Sequence, residues 1–267
     1  MKNLFKGARI LSLRLGGGRQ SLDLDANLRT SFIEQFQDRN DLQRELERAM
    51  VLAIRRRFDE QDPVRFELTR LRVTSHPPQS HPLGWDAFVA KLSVEDRTQA
   101  VRGLPAIALD LAAPEELRET SVGRIKIGGH EVHAYTLERI AGEKLRAFLS
   151  SLPTYLAKKE RSAGAVRAKD LYDISRIRQA RGLQNEEFWH SVGLEFKLAC
   201  KSRYVDCDGL SSFHEQWDVT RRTYSAGIIP SDISFDEVEK TIDEIVEFFA
   251  RVGIIPFQFP MPRQGKT

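Results

Sequence analysis

Apolar residues recur with two different periods along this chain, and the period changes near residue 135. Before that point the short period dominates. Ser21-Leu22-Asp23-Leu24-Asp25 alternates strictly, as a strand does. Residues 64–73 also read as a strand, but their apolar phase slips between Leu68 and Leu71, which predicts a bulge. Residues 76–82 hold three prolines and predict a loop, flanked by further strands over 85–94 and 106–111. Residues 124–127 and 131–134 flank Gly128-Gly129, the signal of a tight hairpin. One helix interrupts this half, over 41–58, where Leu42, Leu46, Ala49, Met50, Ala53 and Ile54 keep helical spacing behind Asn40 as N-cap. Near the start, Ile10, Leu11, Leu13 and Leu15 run into Gly16-Gly17-Gly18, a helix stop and turn.

From Thr136 onward helical patterns take over, punctuated at Pro153, Gly164, Gly182 and Gly209 and closing on a helix over 235–252. The tail after Pro256 is expected to fray. The pattern therefore predicts an α/β plus α chain, with an α/β domain over 1–135 and a helical domain over 136–267. Hydrophobic residues make up 41% of the 267 positions, enough for a real core, so a disordered chain is excluded. No apolar run is long enough to span a membrane, and Cys200 and Cys207 provide neither a disulfide framework nor a zinc site. Two buried thiols suit a cytoplasmic protein.

Candidate chemistry lies in the carboxylates of the first half. Residues two apart on a strand share a face, so Asp23 and Asp25 project together, opposite Leu22 and Leu24. Asp110 has the same character, with Ile107, Leu109 and Leu111 on the other face of its strand. If the two strands are neighbours, three carboxylates converge, a donor set that suits Mg²⁺ and phosphate chemistry. Taken alone, such a pair is also ordinary charge at a strand end. In the second half, Leu137, Ile140, Ala141, Leu145 and Phe148 form one helical stripe with Lys144 at its edge, and Asp170 lies on the apolar face of Leu171, Ile174 and Ile177. A lysine and an aspartate on dry helix faces are candidates for one polar cluster, with snorkelling and a first-turn Asp as the plain alternatives.

Lys6-Gly7-Ala8-Arg9-Ile10-Leu11, followed by Arg19-Gln20-Ser21-Leu22-Asp23-Leu24-Asp25, resembles the first motif of the AbiEii/AbiGii toxin family of nucleotidyltransferases. There a Gly-Gly or Gly-Ser pair opens a helix and an Arg-x-Ser-x-Asp-Leu-Asp strand follows; Ala8 stands at the pair's second position. The run from Thr136 to Ala147 and the run from Arg167 to Asp173 are similar to the family's later Glu-Lys-Leu-x-Ala and Arg/Lys-Asp-x-x-Asp helices. The resemblance implies a small mixed β-sheet nucleotidyltransferase core of the polymerase-β type with flanking helices, followed by a helical C-terminal domain that completes a nucleotide cleft.

It also implies an enzyme that moves a nucleoside monophosphate from an NTP to a hydroxyl and releases pyrophosphate, with Mg²⁺ as cofactor. By that resemblance Asp23, Asp25 and Asp110 hold the metal, with Asp110 also polarising the acceptor. Gly7 and Ala8 bring backbone N–H groups to the phosphates, and Arg19, Ser21 and Lys144 contact the triphosphate. Asp170 supports the site by orienting Lys144 or Arg161, and Asp173 is a helix-stabilising companion. The implied biology is the toxin half of a type IV toxin–antitoxin or phage-defence pair, with an RNA acceptor such as tRNA and an antitoxin partner encoded nearby.

Between Arg139 and Arg181 eleven basic residues face four acidic ones, an excess that reads equally as an RNA or triphosphate track and as a solvated helix surface. Arg55-Arg56-Arg57 reads as a solvated helix end. Two further readings stay open: a catalytically silent relative that binds nucleotide or RNA, favoured by Ala8, and nucleotidyl transfer to a protein or small molecule.

Overall fold

Strands β1 (Leu4–Lys6), β2 (Leu24–Asn27), β3 (Phe66–His76), β4 (Ala87–Asp96), β5 (Ile107–Ala112), β6 (Val122–Ile127) and β7 (His130–Tyr135) join one mixed sheet in the order β3-β4-β5-β2-β1-β7-β6. The computed structural model describes residues 4–17, 24–76, 86–101, 103–160, 164–226 and 229–262. The chain divides into two units. The first comprises Met1–Ile10, Gln20–Pro114 and Arg124–Ala134, and the second Leu11–Arg19, Glu115–Gly123 and Tyr135–Thr267. The α/β class expected from the period change is the class observed.

In the first unit β3 and β4 form a long antiparallel pair, β4 pairs antiparallel with β5, and β5 pairs parallel with β2. One face of these strands is dry. Leu24, Ala26, Leu71, Val73, Phe88, Ala90, Leu109 and Leu111 pack there against Leu42, Leu46 and Met50 of helix α3 (Arg39–Asp59). The expected bulge is present, as a register shift between Leu68 and Arg70. It puts Leu68, Leu71 and Val73 on one face although an odd step separates the first two. The hairpin of β6 and β7 turns on Gly128 and Gly129, both with positive φ, as a two-residue turn of this hand requires. The helix start differs from expectation by two residues. Asp38, not Asn40, is the N-cap of α3, its carboxylate accepting from the Asn40 N–H at 3.0 Å. Asp38 has the extended backbone of a cap, and both residue types serve that role, so spacing alone could not choose between them.

The second unit contains α4 (Leu137–Leu149), α5 (Pro153–Lys158), α6 (Ala168–Arg181), α7 (Glu186–Arg203), α8 (Leu210–Phe213), α9 (Trp217–Ser225) and α10 (Phe235–Arg251). The predicted stripe of α4 is buried throughout, as are Leu171, Ile174 and Ile177 of α6. Gly142 lets α4 cross α7 closely: a Cβ there would fall 2.6 Å from the Phe196 backbone nitrogen and 2.8 Å from the Glu195 carbonyl carbon. Cys200 and Cys207 are buried free thiols. The chain after Pro256 does not fray at once. Phe257 forms a β-bridge with Cys207 and packs its ring 5.5 Å from that of Phe196, so aromatic burial holds a segment whose prolines had suggested a loose end. No helix among the described residues is long and apolar enough to cross a membrane.

Candidate active site

Strand β1 ends at Lys6 and helix α1 (Gly7–Leu15) starts at the next residue, so the chain passes from strand to helix without a loop. That change of direction needs Gly7, whose φ is +82°. Asp25 stands beside the junction. A Cβ built on Gly7 would lie 2.1 Å from Asp25 Oδ2, so the carboxylate occupies the space a side chain would fill. An anion at the first turn of a helix is also favoured by the helix dipole.

Asp25 is the Cα partner of Lys6 on β1 and of Asp110 on β5. Paired residues on neighbouring strands project to the same face, and adjacent strands lie ~4.8 Å apart. Lys6, Asp25 and Asp110 therefore form a row across the face opposite the core, with Asp110 exposed and Asp25 half-buried. Two hard carboxylates on neighbouring strands fit a divalent cation held at ~2.1 Å from each donor. Among the described residues no group of three His, Cys, Asp or Glu gathers for a metal, so the described part of the expected cluster is this pair. Asp23, Arg19, Ser21 and Arg161 lie outside the described residues. Ala8 is buried, its methyl directed into the packing, so it has only backbone to offer a ligand.

In the second unit Lys144 is 8% exposed, and its Nζ lies 2.7 Å from Asp170 Oδ1 and 2.7 Å from Asp173 Oδ2. Asp170 also accepts from Arg167 Nε. Burial alone would lower the Lys144 pKa, but Asp170 and Asp173 outweigh it and raise it, so the ammonium stays charged. Burial pushes the Asp170 carboxyl up, whereas Lys144 and Arg167 pull it down to about 2. Buried Lys144, Asp170 and Asp173, with the exposed Arg167 at the rim, thus make a charge-balanced cluster, and Asp173 is a full member of it rather than a helix-stabilising companion. The signal was present in the sequence, since Asp170 and Asp173 are three apart and share a helix face.

A second cluster gave no such signal. Arg139 has no exposed side-chain surface and binds Glu115 at 3.0 Å, Glu143 at 2.8 Å and Glu195 at 3.2 Å. Ser121 Oγ donates to Glu195 at 2.7 Å, and Arg203 reaches Glu115 at 2.9 Å. Arg139, Glu143 and Arg146 read in sequence as an ordinary charged helix face, and only the crossing of α4 over α7 buries them. The local basic excess is reduced in the same way. Besides Arg139 and Lys144, Lys158 pairs with Asp206 at 2.5 Å and Arg178 with Glu244 at 2.6 Å, acids that lie far along the chain.

The described part of the site is thus a mixed sheet with Asp25 and Asp110 paired on its open face and a glycine-started helix against Asp25. Residues 2–247 match the family described as "Nucleotidyl transferase AbiEii toxin, Type IV TA system", and the chain belongs to that family. Among solved structures it is similar to a candidate nucleotidyltransferase from H. pylori, at 14% identity and a TM-score of 0.47, covering 94% of this chain and 88% of that one. It is also similar to JHP933 from Helicobacter pylori, at 14% identity and a TM-score of 0.48, over 94% and 85% of the two chains. No curated protein matches the sequence.

Proposed function

We propose that the protein transfers a nucleoside monophosphate from an NTP to a hydroxyl, in the manner of a type IV toxin, with RNA such as tRNA as the acceptor. What carries this reading is the Asp25–Asp110 register pair, set against Gly7 on an open sheet face, in a chain of this family. In the reaction the acceptor hydroxyl gives its proton to solvent as its oxygen forms a bond to the α-phosphorus, the bond from that phosphorus to the bridging β-phosphate oxygen breaks, and pyrophosphate leaves with that electron pair. Mg²⁺ held by Asp25 and Asp110, with Asp23, would offset the triphosphate charge and ease deprotonation of the acceptor.

On this reading Asp110, the more exposed of the described pair, would orient the acceptor hydroxyl. Gly7 and Ala8 offer backbone N–H groups to the phosphates, and Arg19 and Ser21 belong to the same motif. The resemblance of its helix assigns Lys144 to nucleotide binding, with Asp170 as its positioning partner. The biological partner on this reading is an antitoxin.

The test incubates the protein with Mg²⁺, RNA and each α-labelled NTP. RNA labelling and pyrophosphate release that disappear with EDTA are expected. Absence of labelling on RNA, protein or small-molecule acceptors would overturn the reading. A silent, nucleotide-binding relative is the second reading, favoured by the buried methyl of Ala8 where the family carries Gly or Ser.

A further inference from the structure

The row that carries Asp25 and Asp110 continues beyond them. On β4 the partner of Asp110 is Val89, whose partner on β3 is Thr74. One step along, Ala108 pairs with Lys91 and Lys91 with Arg72; a step further, Ser93 pairs with Arg70. Same-face neighbours along a strand are ~6.8 Å apart and neighbouring strands ~4.8 Å, so the backbone of Lys91 stands roughly 8 Å and that of Arg72 roughly 12 Å from that of Asp110. Arg70, Arg72 and Lys91 are all exposed.

The bulge between Leu68 and Arg70 produces this patch. With the phase of Leu68 continued unbroken, Arg70 and Arg72 would point into the core and Leu71 and Val73 into solvent. The extra residue reverses that and aims both guanidinium groups at the carboxylate face.

These cations differ from the others of the first unit. Arg44, Arg48, Arg56, Arg57 and Arg97 each pair with a nearby acid. Among the described residues, no hydrogen bond or ion pair is made by the side chains of Arg70, Arg72 or Lys91. Between Lys91 and Asp110 this face carries the small, half-buried Val89 and Ala108. On the side away from Asp110 the face ends at Glu67 and Glu95, which pair in register, with Glu67 itself bound to Arg97 at 3.0 Å.

We propose that the exposed face of β3 and β4 binds the phosphate backbone of a single-stranded RNA segment, with Arg70, Arg72 and Lys91 as phosphate contacts, and so leads the acceptor end toward Asp110. Three unpaired cations between Glu67 and Glu95 at one end and the carboxylate pair at the other match a polyanion that runs toward that pair, where a metal would take over charge neutralisation. This assignment of the acceptor surface rests on the nucleotidyl-transfer reading for its purpose, though the RNA contact can be measured without catalysis.

Fluorescence anisotropy with labelled unfractionated tRNA separates the two. In the variant Arg70→Ala, Arg72→Ala, Lys91→Ala, the Kd should rise roughly tenfold or more, and the slope of log Kd against log salt should fall by about 2, at ~0.7 per single-strand contact. The variant Arg70→Lys, Arg72→Lys should recover most of the affinity. In the transfer assay the triple variant should raise the KM for RNA while the KM for NTP holds. Circular dichroism melts should coincide with wild type, since all three side chains are exposed. Equal RNA affinity and salt slope in wild type and triple variant would overturn the inference, as would a wild type that binds no RNA or that labels protein alone. RNA binding lost in the triple variant, with no transfer by wild type under any NTP, would leave this surface standing and remove the enzymatic reading instead.

Discussion

A methyl group on Gly7 would sit 2.1 Å from Asp25 Oδ2, well inside van der Waals contact, on a backbone whose φ of +82° already disfavours any side chain. The two residues are thus one device: the glycine starts the helix and the carboxylate fills the vacancy it leaves. Gly7→Ala should lower stability by about 1–3 kcal/mol from backbone strain and the displaced carboxylate. It should also abolish transfer. In the double variant with Asp25→Ala the collision is gone, so thermal melts should show part of the stability returning while activity stays absent. Additive losses would mean that the contact is not the cause.

Asp25→Asn and Asp110→Asn should each abolish NMP transfer while leaving melts within about 1 kcal/mol of wild type, because Asn is nearly isosteric and removes the charge that offsets a cation. Isothermal titration with Mn²⁺ should show weakened binding in both. Full activity in Asp110→Asn would remove that residue from the chemistry.

The Lys144 cluster makes acid stability predictable in sign. Asp170 titrates at about 2 in the folded chain, below its unfolded value. The unfolded chain therefore takes up that proton first as pH falls. The stabilisation is complete above roughly pH 4 and is lost as pH falls through about 2, on the order of 2 kcal/mol in all. Urea midpoints measured from pH 5 to 2 should decline for wild type and decline less for Asp170→Asn. Lys144→Ala, which removes the buried ammonium shared by Asp173 and Asp170 and leaves Asp170 with Arg167, should cost about 3–5 kcal/mol at neutral pH. Its NTP affinity must then be read below its own melting temperature.

Arg139→Met should be as damaging for the same reason. It keeps an unbranched stem but takes the buried guanidinium from Glu195 and from Glu115, which retains Arg203, at a cost of about 3–5 kcal/mol. Adding Glu195→Gln should restore part of that loss, measurable as a double-mutant cycle in chemical denaturation. An unchanged melt in the single variant would show that the network contributes little.

Local pattern was enough to define much of this molecule. Strand alternation put Asp25 opposite Leu24, the slipped phase of Leu68 and Leu71 marked the bulge, and the stripe from Leu137 to Phe148 marked α4 with Lys144 at its edge. Each is a property of neighbours in sequence, where a period of two or 3.6 residues fixes which side chains share a face. The motifs likewise pointed to the family. What tertiary structure alone decided is which faces meet. No pattern within β2 or β5 states that they lie parallel with Asp25 opposite Asp110, because register is set by the shared core of Leu24, Ala26, Leu109 and Leu111. Nor could the sequence separate the charges of α4 that face water from those, such as Arg139, that a crossing helix seals in. The crossing depends on a long-range fit, with Gly142 against the backbone of α7, and burial is a property of that fit rather than of the residue.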